Sequence, residues 1–150
     1  MSLDDYDRKR PGDTPEPRRG VPPELVGTYC IQEHHALRAG FHHDLRFEHE
    51  GVAVSFAIRK GVPKRGDRAR LAIHTENHPV AYMAWQGVIP PGRYGAGRVV
   101  LLDHGKREII EITDEKFKIR LSGGMSDYAG VYSIFINGGN WLCVHKTSEE

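Results

Sequence analysis

Residues 41–58 read FHHDLRFEHEGVAVSFAI, two runs of alternating apolar and polar residues separated by Glu50-Gly51. Alternation with a period of two is typical of a β-strand that packs one face and exposes the other. A Gly-containing pair between two such runs favours a tight reversal of the chain. The stretch therefore predicts a β-hairpin with strands over 41–49 and 52–59.

The two faces of the first run differ in chemistry. One face is mostly apolar, and the other carries His42, Asp44, Arg46 and Glu48. A solvated strand face usually carries Lys, Glu, Thr and Ser, so imidazole, carboxylate and guanidinium groups in series indicate a metal or phosphate site. The second run has only small side chains on one of its faces, which leaves room above them.

Short runs rich in Val, Ile, Phe and Tyr continue along the chain, broken by Gly and Pro. The other predicted strands are 28–33, 69–76, 97–103, 107–112, 116–121, 129–136 and 140–146. Asn137-Gly138 predicts a second hairpin turn, and no long window has a helical period. Eight or nine short strands predict an all-β sandwich or barrel.

A second predicted strand also carries ionisable groups on one face. Alternation over 70–78 places four of them on the same side, namely Arg70, His74, Glu76 and His78. Two strands with such faces indicate one shared polar site.

The histidines of the chain are concentrated, because five of the nine lie within 34–49. His42 and Asp44 are two residues apart on one strand, so both side chains can reach one ion. The third ligand must come from the preceding strand, where His34 is the nearest candidate and His35 its rival.

Residues 1–27 differ from the rest of the chain. They hold five of the nine prolines and few large apolar groups, so they cannot fold alone. We expect an extended N-terminal arm, either disordered or laid over the barrel as a strap. The folded domain is expected to span 28–150.

The composition limits the classes of protein. A chain of 150 residues suits one domain, and no segment approaches the roughly 20 apolar residues of a membrane-spanning helix. Met1–Arg10 lacks the apolar core of a secretory signal, so we expect a cytoplasmic protein. Cys30 and Cys143 lie in apolar runs and are predicted to be buried. Because the net charge is only +1, a nucleic acid would have to bind a local basic patch.

Longer motifs point to a family. The runs IQEH (31–34), HHDLRFE (42–48), LAIHTENHP (71–79) and GVIPPGRYGAG (87–97) resemble the 3′-phosphoesterase domain of bacterial and archaeal ATP-dependent DNA ligase D. Tyr6, Lys9-Arg10, 14–17 and Tyr82 are similar to the same family. The resemblance covers nearly the whole chain.

The resemblance implies a fold and a reaction. The family is a compact β-barrel, here of about eight strands, with a polar interior site. It removes 3′-terminal ribonucleosides and then 3′-phosphates at primer–template ends, leaving a 3′-hydroxyl for repair and end joining. Manganese is the usual metal, with zinc or cobalt as alternatives.

Carried over position by position, the resemblance also implies a site. The metal ligands would be His34, His42 and Asp44. The phosphate would be held by Arg46, Arg70 and His78. The same site would be lined by Glu76 and Tyr82 and closed from the strap by Arg10 and Glu16.

The resemblance has departures. The segment between His34 and His42 is longer than the family pattern, so His35 stays a rival ligand. In full ligase D the domain is fused to polymerase and ligase modules. For this chain we expect a separate DNA ligase and polymerase to act in trans.

Two other functions compete with this interpretation. His42-x-Asp44 with a distal His104 or His145 would outline a 2-His-1-carboxylate iron oxygenase. A non-enzymatic module would merely grip a terminal phosphate. The loop 92–97 is predicted to be a turn entering a strand, since no helix follows it to bind phosphate.

Overall fold

A computed structural model describes residues 2–147 of the chain. Short helices are α1 (Asp4–Arg8) and the 3₁₀ helices Pro23–Leu25, Val80–Ala84 and Ser126–Tyr128. The strands are β1 (Thr28–Ala36), β2 (Gly40–His49), β3 (Val52–Ile58), β4 (Arg70–His74), β5 (His78–Pro79), β6 (Gly87–Ile89), β7 (Gly97–Thr113), β8 (Lys116–Ser122), β9 (Gly130–Asn137) and β10 (Asn140–His145). No helix within the described residues is long and apolar enough to cross a membrane.

Eight antiparallel strands form a closed barrel. They are hydrogen-bonded in the order β1-β2-β3-β4-β10-β9-β8-β7, and pairing of β7 with β1 completes the circle. The two short strands lie outside this circle, β5 against β3 and β6 against β7. The prediction of an all-β barrel of about eight strands is confirmed.

Apolar side chains fill the barrel. The core draws on nearly every strand, with Ile31, Phe47, Phe56, Tyr132 and Ile134 among its fully buried members. Since successive side chains of a strand point to opposite faces, the polar residues of β2 lie on the outer face, between core residues in sequence. The polar groups of β2 therefore lie outside the barrel, whereas the family resemblance implied a site in its interior.

The first hairpin turn has the predicted position. His49 pairs with Val52, and the two residues between them, Glu50 and Gly51, have φ angles of 50° and 82°. Two positive φ angles characterise the turn that matches the twist of a hairpin. The second turn is shifted by one residue, because Asn137 pairs with Asn140 and the turn is Gly138-Gly139.

The strand predicted over 69–76 is shorter than expected. β4 ends at His74, and the chain rejoins β3 only at His78. Within β4, Ala72 packs in the core and the ring of His74 stacks on Phe56, 4.6 Å between centroids, while the interruption at 75–77 lets Glu76 and His78 face the other way. The prediction that 70–78 presents one continuous polar face is therefore wrong.

One strand was predicted as two. β7 runs unbroken through 97–113 because it pairs first with β1 and then with β8, with a register shift in each pairing. It thereby closes the barrel at one end and forms a ribbon with β8 at the other.

The N-terminal arm crosses the outer face of the barrel. Tyr6 of α1 is fully buried, and its ring lies edge-on to those of His78 and Tyr82. The described part of the arm is thus a strap that covers the polar residues of the sheet.

Candidate functional site

Three side chains on the outer face of β1 and β2 form a compact group. A ring nitrogen of His34 and of His42 and a carboxylate oxygen of Asp44 all lie within 4.8 Å of one another. His34 Nδ1 is 3.6 Å and His42 Nε2 is 3.3 Å from the carboxylate. Pairing of β1 with β2 sets His34 directly opposite His42, which brings the three together.

Backbone carbonyls orient both imidazoles. His34 Nε2 donates to the carbonyl of Gly95 at 2.7 Å, and His42 Nδ1 faces that of Gly40 at 3.3 Å. Because a carbonyl can only accept, each ring donates through that nitrogen, and its other nitrogen is directed at Asp44. Such outer hydrogen bonds are the usual way in which proteins prepare histidine for a metal. Two imidazoles and one carboxylate therefore fit a divalent transition metal.

His35 lies on the other face of β1. Its ring is about one-third exposed and contacts Phe41, and Nε2 is 3.8 Å from Glu33. The structure thus groups His34, and not its neighbour, with His42 and Asp44.

A guanidinium holds Asp44 ionised. Burial alone would raise the pKa of the Asp44 carboxyl, but Arg46 and hydrogen bonds from the two histidines bring it well below its ordinary value. The contact between Arg46 Nη2 and Asp44 is 3.3 Å. Burial lowers the pKa of His42, yet the Asp44 carboxylate outweighs burial and the net shift is upward.

Arg46 has an unused donor. Its Nε donates to the side-chain oxygen of Gln32 at 2.7 Å, while Nη1 is buried and has no hydrogen-bond partner among residues 2–147. A buried donor without a partner costs stability unless something binds it, and a guanidinium is suited to phosphate. The same guanidinium lies 4.8 Å above the ring of Tyr82. The site therefore presents an anion-binding group next to its cation-binding group.

His78 is buried beside this guanidinium. Its Nδ1 donates to the carbonyl of Glu76 at 2.9 Å, and its Nε2 forms no hydrogen bond within the described residues. Burial, together with the charges of Arg46 and Arg10, lowers the pKa of His78 well below 6.5. The neutral ring thus has a lone pair on Nε2 that can accept a proton.

The strap supplies the remaining charges. Arg10 Nε donates to Glu16 at 2.7 Å, and the guanidinium lies 3.8 Å from the ring centroid of Tyr6. Lys9 forms an ion pair with Glu76 at 3.2 Å, which ties the strap to the segment before β5. Burial raises the pKa of Tyr6 to about 12, so its hydroxyl stays protonated.

Most of these groups border one open cavity of about 760 Å³. The predicted site residues that line it are Arg10, His34, His42, Asp44, Arg46, Glu76, His78 and Tyr82. Glu16 contacts Arg10 from behind and is not part of the wall.

Arg70 does not border the cavity. Its guanidinium donates to the carbonyls of Lys60 and Gly61 and pairs with Asp67 at 3.2 Å. Because β4 keeps its alternation up to His74, Arg70 lies on the same side as the core residue Ala72. The structure thus does not bring Arg70 to the predicted phosphate.

Neither distal histidine of the oxygenase alternative reaches the cavity. His104 is exposed, and His145 contacts the carbonyls of Pro63 and Ala129 at 3.0 and 2.9 Å. Cys30 and Cys143 are buried as predicted.

A close backbone approach positions the loop that orients His34. Gly97 begins β7 with a φ of 137°, and a Cβ there would lie 2.2 Å from the carbonyl of His35. Only glycine permits this contact, which lets the loop 92–96 fold over β1. The loop is a turn entering a strand, as predicted.

Comparison with known proteins agrees with this geometry. The profile of the DNA Ligase D 3′-phosphoesterase domain matches residues 32–134, which include the three candidate metal ligands. The chain belongs to this phosphoesterase family. The resemblance seen in the motifs is confirmed.

The relatives of this phosphoesterase domain are much longer proteins. It is 48% identical over 111 residues, 71% of the chain, to the multifunctional non-homologous end joining protein LigD of Mycolicibacterium smegmatis. Identity is 40% over 137 residues, 86% of the chain, to the multifunctional non-homologous end joining DNA repair protein LigD of Mycobacterium tuberculosis. For the Pseudomonas aeruginosa LigD it is 42% over 108 residues, 69% of the chain. The chain spans 13%, 17% and 12% of these relatives' lengths.

Gln32 is a buried residue of the candidate site that the alternation pattern did not single out. Gln32 accepts from Arg46 and donates to the carbonyls of Tyr82 and Trp85, both at 2.9 Å. It therefore links the anion-binding guanidinium to the 3₁₀ helix beside it. Its position two residues before His34, on the same face of β1, was the feature of the sequence that could have indicated it.

Replacing Gln32 with leucine is expected to lower the free energy of unfolding by about 1–3 kcal/mol, because it leaves Arg46 Nε without a partner. The free energy would be measured by urea unfolding. Ser133→Ala is the control, since the buried Ser133 hydroxyl has no hydrogen-bond partner in the part of the chain that the structure describes. Equal stability of Gln32→Leu and wild type would contradict the assigned link.

Proposed function

We propose that this chain is a metal-dependent phosphoesterase that heals DNA 3′ ends, removing terminal ribonucleosides and 3′-phosphates to leave a 3′-hydroxyl. The family assignment supports 3′-end processing in end joining. The observation that carries the proposal is Arg46, which borders the same cavity as the His34, His42 and Asp44 group and whose buried Nη1 has no hydrogen-bond partner within the described residues. A phosphoester beside a divalent ion requires that pair of features.

His34, His42 and Asp44 would hold the metal, with manganese as the first candidate and zinc or cobalt as alternatives. When bound, the ion would supply positive charge beside the phosphoryl oxygens and lower the pKa of water. Arg46, already ionised and held by Asp44 and Gln32, binds a phosphoryl oxygen through Nη1. Its rigid position costs no reorganisation when charge develops on that oxygen.

His78 and Tyr82 contact the reacting group from the other side. The neutral His78 accepts a proton at Nε2 from the attacking water, and the imidazolium so formed returns that proton to the leaving oxygen. Burial raises the pKa of Tyr82 above its ordinary value, so its hydroxyl remains a donor to the phosphate. Glu76 forms an ion pair with Lys9, and its carboxylate lies 3.9 Å from Arg10 Nη1. These two cations extend the positive charge of the site toward the substrate.

Glu16 holds Arg10 in place through an ion pair. Arg70, which lies outside the cavity, has no part in the proposed site.

The proposed substrates are DNA primer–template ends that carry a 3′-ribonucleotide or a 3′-phosphate. Because the relatives are multifunctional end-joining proteins, ligase and polymerase activities would use the 3′-hydroxyl product. We place the activity in the cytoplasm.

A labelled primer–template with a 3′-phosphate or one terminal ribonucleotide tests the proposal. Incubation with manganese is expected to yield a 3′-hydroxyl end, and removal of metal with EDTA is expected to stop the reaction, since the ion neutralises the phosphoester. Product is resolved by electrophoresis and checked by extension with a polymerase. Binding of the end without any change to it would instead support a non-enzymatic end-binding module.

A further inference from the structure

The loop between β3 and β4 concentrates positive charge. Residues 59–70 read RKGVPKRGDRAR and contain six of the 21 basic residues of the chain but only one of its 20 acidic residues. The other segments together hold 15 basic and 19 acidic residues, so they are net negative. This basic loop (59–70) is the local patch that a nearly neutral chain would need for a polyanion.

Half of its cations are free to meet a ligand. The single acid, Asp67, is used internally, accepting from the backbone of Lys64 at 2.8 Å and pairing with Arg70. The exposed residues Arg59, Lys60 and Arg68 form no ion pair within the described part of the chain. Lys64 reaches only an exposed Asp127, at 4.0 Å.

The basic loop is anchored at its base. The backbone of Val62 donates to His43 Nδ1 at 2.9 Å, and the carbonyl of Pro63 accepts from Tyr132 and His145. The backbone of Arg65 donates to Asp127 at 3.0 Å. A fixed backbone reduces the entropy that a charged loop loses on binding.

The basic loop begins at the edge of the cavity. Ala57 lines the cavity, and Arg59 follows two residues later, about 7 Å further along the chain. On the other side of the loop, Ile73 of β4 lines the same cavity. Both ends of the loop thus adjoin the wall of the candidate site.

We propose that the basic loop binds the phosphate backbone of the duplex whose 3′ end occupies the cavity. The inference rests on the proposed function. Successive phosphates rise about 3.4 Å along one strand, so a duplex leaving the cavity presents several of them to a loop of this length. The loop contacts phosphates only, and it therefore favours duplex length without reading sequence.

The test compares two variants that each lose three positive charges. The loop variant is Arg59→Gln with Lys64→Gln and Arg68→Gln. The control is Lys106→Gln with Lys116→Gln and Lys118→Gln, on the β7–β8 ribbon. Binding to a fluorescent duplex with a 3′-phosphate is measured by anisotropy between about 50 and 200 mM salt. Turnover is measured on that duplex and on a trinucleotide with a 3′-phosphate.

For the loop variant we expect an affinity at least about ten-fold weaker at low salt and a log–log salt slope reduced by about 2 to 3, since each lost phosphate contact removes about 0.9. Its rate on the trinucleotide is expected to stay within about two-fold of wild type, while subsaturating turnover of the duplex falls with affinity.

A loop variant that matches the control in affinity and salt slope would overturn the inference. Failure of the proposed function has a different signature. In that case neither substrate is turned over by any variant, while the binding comparison still reports on the loop. Thermal melting of both variants checks that each is folded.

Discussion

His42→Ala is expected to abolish end processing. The substitution removes one of three metal ligands and leaves the ion pair between Asp44 and Arg46 intact, so the fold should persist. Removing a hydrogen bond that orients a metal ligand lowers metal affinity by about 10- to 100-fold. Removing the ligand itself should lower the affinity by more. Without the ion, we expect turnover to fall at least about a thousand-fold, several kcal/mol of lost transition-state stabilisation. Titration calorimetry with manganese and the primer assay provide the two readouts.

The chain offers a matched control for this experiment. His35→Ala removes an imidazole one residue from His34, on the opposite face of β1. Metal affinity of this variant is expected to stay within about two-fold of wild type, because side chains on that face cannot reach the ion. Manganese affinity lost equally in both variants, or full activity of His42→Ala, would remove the proposed ligand set.

Arg46→Lys should also be severely impaired, although it preserves the charge. A lysine ammonium can pair with Asp44, but it cannot also bond Gln32 and direct a further fixed donor at the phosphate. Loss of one fixed donor to a developing anion costs about 10²- to 10³-fold in turnover. We expect a decrease of this size in kcat with manganese affinity nearly unchanged.

Arg107→Lys is the control for the effect of replacing a paired arginine with lysine. Arg107 is likewise paired on the outer face of the barrel, at 2.9 Å from Glu48, but it does not border the cavity. Its replacement should leave kcat within about two-fold of wild type. If Arg46→Lys kept wild-type turnover, a point charge would suffice and the proposed role of the fixed Nη1 donor would be wrong.

Local alternation was enough to predict much of this protein. The faces of β2 follow directly from the period of two, which is why His42, Asp44 and Arg46 could be grouped before any coordinates. The barrel followed from the number of strands and the positions of Gly and Pro. Closure by β1 and β7 could not be predicted, since pairing between distant strands leaves no local pattern.

The errors arise where alternation stops. The chain leaves the sheet after His74 and returns at His78, and no residue type in 75–77 announces that break. Glu76 and His78 consequently reach the cavity while Arg70 does not. Gln32 was missed for another reason, because the value of a neutral amide depends on three partners that only the tertiary structure supplies.

The barrel separates folding from chemistry along a single strand. In β2, Leu45 and Phe47 face the apolar core while their neighbours Asp44 and Arg46 face the cavity. A mutation at Asp44 or Arg46 thus changes contacts in the cavity, and a mutation at Leu45 or Phe47 changes contacts in the core. Selection can therefore change the metal preference or the substrate range of such a scaffold while the packing inside the barrel stays intact, and a designer can do the same.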